Sequence, residues 1–451
     1  MRVLVCGSSG CIGSAVVRAL RSRGHGVVEA ARRHADSRHT LRLDYMQPVA
    51  PADWAQRLAA LRIDAVVNCV GILMESRTQS FERVHAEGPI ELFKGAALAG
   101  VRRIVQVSAL GVGHDAQALA MPYLYSKLRA DDALASLAPE WAVLRPSLVH
   151  GPRSQSAALF ATLASLPVIA LPGAGAQRVQ PIHVYEVAEA IARLLEGDAG
   201  WRAVHELGGP VPMSYREMLA AYRAAQGRSE ALWLPLPMPA MKAAAWCAEW
   251  LPQRVYCRDT LRLLERGSVT RDNAAPVLLG RAPTALARGL AIAPARPLVA
   301  LHAELSPPVE LALRAALAFM WIWTALISAL WPQASGVMNL LARCGFEGEA
   351  GVAMLVASCT LNTALGVATL WRPGTTLYVL QTAAVVGYTT TAALNMPELT
   401  LDHCGPLVKN LPVLGLVLLL WLAMKPAGSV PSGEAALRHT RADARRAATT
   451  A

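Results

Sequence analysis

Short apolar runs alternate with longer stretches of helical periodicity through the first half of the chain. Arg2–Cys6 is such a run and predicts a buried first strand, and Ser14–Leu20 has the spacing of an amphipathic helix. Val27–Ala31 and Leu41–Leu43 predict the second and third strands. Ala52–Leu61 and Pro89–Ala99 are helical in pattern, while Ile63–Gly71 and Ile104–Ser108 are strand-like. Strands and helices alternating at this length predict an α/β fold with a doubly wound parallel sheet and right-handed crossovers. Beyond Leu232, Pro235, Pro237 and Pro239 break regular structure. Met241–Leu251 then predicts a helix with Trp246 and Trp250 on one face. That helix suits either a bilayer interface or a lid over the substrate region.

After Pro307 and Pro308 the pattern changes. Ala315–Trp331, Ala350–Trp371 and Pro373–Pro397 carry no charge, and Asn410–Met424 is a shorter apolar run between Lys409 and Lys425. About 20 residues span a hydrocarbon layer of roughly 30 Å. These runs predict an all-α domain of four transmembrane helices. An even number of spans puts both ends on one side, with Arg314, Arg372 and the basic tail (Arg438, Arg441, Arg445, Arg446) facing the cytoplasm. Ala427–Ala451 reads as a disordered basic tail.

Composition agrees: 54% of the 451 residues are hydrophobic and only 17% charged, apolar for a soluble enzyme. The net charge of +11 comes from scattered arginines with no aromatic-interleaved stripe. It points to an anionic membrane face and away from nucleic acid. The eight cysteines form no CxxC pair and the histidines no HxxxH or HExxH, so no metal site is expected. Met1 runs straight into the first strand, which predicts no signal peptide and a first domain in the cytoplasm.

The chemistry starts at Gly7, Gly10 and Gly13. With Ser8, Ser9, Cys11 and Ile12 they form a glycine turn between a strand and a helix, as a dinucleotide pyrophosphate requires. Arg32 and Arg33 follow the second strand where NAD-specific folds carry an acidic residue. Paired guanidinium groups there suit a 2′-phosphate, so NADP(H) is preferred and NAD(H) possible, Glu29 being close by. Asp44 lies where a carboxylate meets the adenine, and Cys69, Val70 and Gly71 where backbone passes beside the cofactor.

The motifs GSSGCIG, AARR, DAVVNCVG, GVRRIVQVSALGV, YLYSK, LRPSLVHGP, QPIHVYEVAEAI and HELGGP occur in this order over residues 1–295. Together they resemble an extended short-chain dehydrogenase/reductase, of the atypical branch that includes the nucleotide-binding accessory subunit of respiratory complex I. The resemblance implies an α/β Rossmann doubly wound parallel sheet with a small substrate subdomain, and a catalytic Tyr123 and Lys127, in the pattern YxxxK, with Ser108 at the strand end. Lys127 would lower the Tyr123 phenol pKa and hold the nicotinamide ribose. Two positions depart from the family pattern: Leu110 stands where a Ser or Thr is usual, and Tyr125 is a second phenol inside the motif. Arg145 reads as structural, and His183, at a helix start, as a cap or packing residue.

The apolar region, through RAALAFMWIWTALISALWP, WRPGTTLYVLQTAAVVGYTTTAAL and GPLVKNLPVL, is similar to the DoxX-like membrane family. Asn362, Gln381, Tyr388 and Asn395 are candidates for a polar cavity or for hydrogen bonds between helices. Lys409 and Asn410 could meet a headgroup or a quinone carbonyl. The expected organisation is a nucleotide-binding domain (1–295), a linker (296–308), a DoxX-like domain (309–424) and the tail (425–451). The expected protein is a multi-pass protein of a bacterial cytoplasmic membrane. It would be an NADP(H)-dependent oxidoreductase acting on a quinone or lipid, or a non-catalytic NADPH-binding sensor or assembly subunit of a membrane redox complex. A nucleotide-sugar epimerase fits the superfamily but not the membrane domain.

Overall fold

The computed structural model describes residues 1–33, 36–228, 231–248, 257–295, 305–396 and 408–424. The linker segment 296–304, Trp250 and the tail beyond Met424 lie outside the described residues. The chain forms two compact units, the first running to Val299.

In the first unit β1 (Arg2–Cys6), β2 (Gly26–Ala31), β3 (Thr40–Arg42), β4 (Ala65–Asn68), β5 (Arg103–Val107), β6 (Glu140–Pro146) and β11 (Ala203–Leu207) form one parallel sheet. Its order is β11-β6-β5-β4-β1-β2-β3. Three small pairs complete the strands: β7 (Val149–His150) with β10 (Ile182–His183), β8 (Val168–Pro172) with β13 (Leu232–Leu236), and β9 (Arg178–Val179) with β12 (Met213–Ser214).

Alternation along β1 explains why the sheet is buried on both faces. Val3 and Val5 pack with α1 (Cys11–Ser22) and α7 (Val184–Glu196). Leu4 and Cys6 pack on the other face with Trp54 of α2 (Pro51–Ala60) and Phe93 of α3 (Gly88–Leu98). The strand order reverses between β1 and β4, which opens a crevice at their carboxyl ends.

The helix that starts at Val184 has His183 as its side-chain cap, the role read for it, and Ile182 and His183 also pair with β7. A π-helical turn, Glu82–Glu87, precedes α3. The proline-flanked helix spans Met238–Ala248. It packs Met241 and Ala245 on Leu261, with Trp246 about half exposed.

Among the described residues of the second unit three helices are long and apolar enough to cross a bilayer: Pro307–Leu330, Gly348–Trp371 and Thr375–Asn395. The fourth expected span is Asn410–Ala423, of 14 residues. At 1.5 Å per residue it is about 21 Å long, short of the roughly 30 Å hydrocarbon core. Residues 397–407, which precede it, lie outside the described residues. A short helix, Val337–Arg343, also appears where none was expected.

Polar side chains within the spans bond to other helices, as expected of groups with no water to meet. Tyr388 donates to Asn362 Oδ1 at 3.2 Å, Gln381 to Thr369 Oγ1 at 2.6 Å and Asn410 to Thr389 Oγ1 at 2.7 Å. Asn395 instead bonds within its own helix, to the Thr391 carbonyl.

Candidate functional site

The glycine turn and the end of β4 meet in the crevice. Gly7 leaves β1 with φ +76°, and a Cβ there would lie 3.1 Å from the Cys69 carbonyl carbon. Cys69 donates its N–H to the Cys6 carbonyl at 3.0 Å, which binds the two strand ends together. A Cβ on Gly13 would fall 2.2 Å from the Gly7 carbonyl oxygen. Only glycine permits that approach of helix to strand.

Helix α1 has Gly10 at its N-cap with no side-chain cap, and its first internal bond is from the Ser14 N–H to the Gly10 carbonyl. The N–H groups of Cys11, Ile12 and Gly13 are therefore left for an anion. This cradle fits a dinucleotide pyrophosphate. Ser8 is buried, with its hydroxyl on the Ala30 carbonyl at 3.3 Å, whereas Ser9 is exposed. Ala30 also accepts the Gly7 N–H at 2.9 Å, which places the exposed Arg32 and Arg33 just past the strand that borders the glycine turn. Asp44 is half-buried and holds the turn after β3 by accepting the Met46 N–H at 3.1 Å. Burial pushes the Cys11 thiol up to about 11, and it donates to the Pro152 carbonyl.

Helix α5 (Pro122–Ala135) carries the second group. Tyr123, Lys127 and Asp131 recur every four residues, share one face, and are all buried. Lys127 Nζ donates to the Val107 carbonyl at 3.4 Å, and a Cβ on Gly71 would stand 3.6 Å from it. The end of β4 and the YxxxK helix thus meet at one point.

The structure differs from expectation in the electrostatics. Lys127 Nζ lies 5.8 Å from the Tyr123 ring centroid, over its face. Burial pushes the phenol above its ordinary range, with no lowering by Lys127. Burial also brings Lys127 down to about 8, opposed by the charge of Asp131.

Two residues at the site went unnoticed in the sequence. Asp131 accepts from Ser108 Oγ at 2.8 Å and from Arg145 Nη2 at 3.0 Å, which gives Arg145 the structural role read for it. The signal was present, since Asp131 stands four residues after Lys127. His85, on the π-helical turn, accepts the Ile72 N–H on Nε2 at 3.0 Å. Its Nδ1 therefore carries the proton and donates to Ser126 Oγ at 3.1 Å. The ring also meets Tyr123 edge-on at 5.4 Å. No sequence pattern marks a histidine placed by a widened turn.

Beside Tyr123 opens a cavity of about 250 Å³, lined by Ser108, Leu110, Leu148, Leu159, Phe160 and Leu264 among others. Ser108 is held by Asp131, and Leu110 presents only hydrocarbon. Among the described residues no group of three or more metal-ligating side chains occurs.

Residues 3–204 match the NAD dependent epimerase/dehydratase family, and residues 318–418 the DoxX-like family. A mitochondrial "NADH dehydrogenase [ubiquinone] 1 alpha subcomplex subunit 9" from Arabidopsis thaliana is 26% identical, over 60% of this chain and 71% of its own length. A 2'-dehydrokanamycin reductase from Streptomyces kanamyceticus is 27% identical, over 58% of this chain and 75% of its own. A nucleoside-diphosphate-sugar epimerase from Staphylococcus aureus matches in structure with TM-score 0.51 at 17% identity, over 64% of this chain and all of that one, a likeness of fold alone. The chain thus joins a region similar to the NAD dependent epimerase/dehydratase family to a C-terminal region similar to the DoxX-like family.

Proposed function

We propose that this protein is a membrane-anchored NAD(P)H-dependent oxidoreductase that prefers NADP(H) and acts on an apolar, membrane-derived carbonyl compound or quinone. The observation that carries this reading is the placement of Tyr123 on the wall of an apolar cavity, with Lys127 one turn below it beside Gly71. The glycine cradle would hold the pyrophosphate, and Lys127 the nicotinamide ribose. The bound nicotinamide supplies a hydride. The Tyr123 hydroxyl gives a proton to the substrate oxygen, and the apolar walls exclude water from that oxygen. Ser108 acts through Asp131, holding the floor of the site.

Arg32 and Arg33 support the NADP(H) preference, since exposed guanidinium groups beside the glycine turn suit a 2′-phosphate. Replacing both with Ala weakens NADPH far more than NADH in a binding titration; an equal loss removes the assignment. Arg314 and Arg372, at the ends of long apolar helices, support a bacterial cytoplasmic membrane location with the nucleotide-binding domain inside.

The decisive experiment titrates purified full-length protein with NADPH and NADH and follows the reduced nicotinamide band after adding a short-chain quinone. Oxidation supports the reductase. Tight binding without turnover of quinone or alkyl ketones favours the second reading, a non-catalytic NADPH-binding sensor or assembly subunit. That reading is supported by Leu110, which supplies no polar group, and by the raised Tyr123 phenol. The respiratory-complex subunit among the relatives supports it too.

A further inference from the structure

The apolar cavity is not isolated. Leu110, Gly267 and Ser268 line it, and the same residues line a second cavity of about 530 Å³. The two are of opposite character.

In the first, the hydroxyls already serve the protein. Ser108 donates to Asp131, Ser147 to the Ser268 carbonyl at 2.8 Å, Thr260 to the Cys257 carbonyl at 3.0 Å, and Ser156 shares a hydrogen with Ser154 at 3.2 Å. The rest of the lining is Tyr123, Tyr215 and mostly hydrocarbon.

The second cavity is lined by four arginines, Arg145, Arg178, Arg266 and Arg271, against two carboxylates, Asp115 and Glu206. Arg266 holds Asp115 by two bonds, at 2.9 and 2.6 Å, and Arg145 turns to Asp131 behind the wall. Arg178 donates to the Pro212 carbonyl at 3.2 Å and its charge reaches Glu217. Glu206 accepts the backbone N–H of Arg271 at 2.7 Å, and among the described residues no carboxylate pairs with the Arg271 guanidinium. Arg266 and Arg145 are thus held in ion pairs, whereas the Arg178 and Arg271 guanidinium groups make none among the described residues. Together the two cavities reach the roughly 300–1,000 Å³ typical of small-molecule sites.

We infer that the two cavities form one site for an amphiphile. Its hydrocarbon segment lies beside Tyr123, and its anionic headgroup, a phosphate or carboxylate, meets Arg178 and Arg271 across Leu110. This inference rests on the reductase reading only for the identity of the reacting end, and it gives that reading its substrate class. A plain quinone fills the apolar half alone. A phosphate or carboxylate needs charged donors, which arginine supplies in a fixed fork.

The test uses full-length protein in a neutral detergent and calorimetric titration with hexyl phosphate, hexanoate, hexanol and inorganic phosphate. NADPH binding is measured on every sample. The expected result is that hexyl phosphate or hexanoate binds at least about tenfold more tightly than hexanol and than inorganic phosphate. Arg178→Gln combined with Arg271→Gln removes about tenfold or more of the anionic ligand's affinity. The same pair of changes leaves hexanol and NADPH unchanged. Leu264→Glu, in the apolar wall, weakens the hexyl ligands and spares inorganic phosphate.

Equal affinity for hexanol and hexyl phosphate, or insensitivity to the arginine changes, overturns the amphiphile. Inorganic phosphate binding as well as hexyl phosphate identifies a free-anion site and overturns it as well. Amphiphile binding without NADPH binding refutes the reductase and leaves this site standing; NADPH turnover without amphiphile binding does the reverse.

Discussion

Tyr123 illustrates how much a residue's role depends on its surroundings. Its spacing from Lys127 is plain in the sequence, yet the lysine sits over the ring face and the buried phenol stays protonated. On the proposed reductase reading this phenol is the proton donor, never the base. Tyr123→Phe should therefore cut carbonyl reduction by about 10²-fold or more while NADPH affinity holds, measured by steady-state kinetics beside a binding titration. Unchanged turnover assigns the proton to another donor.

His150 is a second buried residue with a measurable signature. Its ring packs edge-on against His183 at 5.0 Å, and neither ring nitrogen has a partner among the described residues. Burial brings its pKa down to about 3. The unfolded chain binds a proton near the ordinary 6.5 and the folded one does not, so folding is favoured above pH 6.5 and loses stability as pH falls from 6.5 toward 3. Denaturant unfolding of the nucleotide-binding unit should show this slope, and His150→Leu should flatten it. An unchanged slope assigns the acid sensitivity elsewhere.

The glycine turn and helix α1 act as one element. A Cβ on Gly13 collides with the Gly7 carbonyl, an atom fixed by its bond from Gly10. Gly13→Ala should push the helix off the strand, costing about 1–3 kcal/mol and most of the dinucleotide affinity. Wild-type NADPH binding in that variant would remove the cradle from the cofactor site. At this scale the sequence was easy to read, because apolar runs and glycine spacing are local properties. His183 at a helix start reads correctly as a cap, whereas the pairing of Ile182 and His183 with β7 depends on tertiary contact and leaves no local signal.

At the scale of the whole molecule, the proposed membrane topology rests on where the charges lie. If the spans alternate as the positive ends require, Arg372→Cys labels from the cytoplasm and Gln333→Cys from the opposite side with a membrane-impermeant thiol reagent, in a background lacking the native cysteines. Labelling of both from one side rejects that topology.

The two-part organisation was legible in the chain alone, because the change of solvent from water to lipid is written in composition. So were the glycine turn and the YxxxK pair, which need only short spacings. Folding decided what depends on residues distant in sequence. The pairing of β4 with β5 brings Gly71 to Lys127. Asp131 Oδ2 accepts from Ser108, just past β5, and from Arg145 of β6, and Leu110 lines both an apolar cavity and an arginine-lined one. Spacing along a chain reports which residues share a face; which faces meet is set by packing among segments a hundred residues or so apart, and no local pattern encodes it.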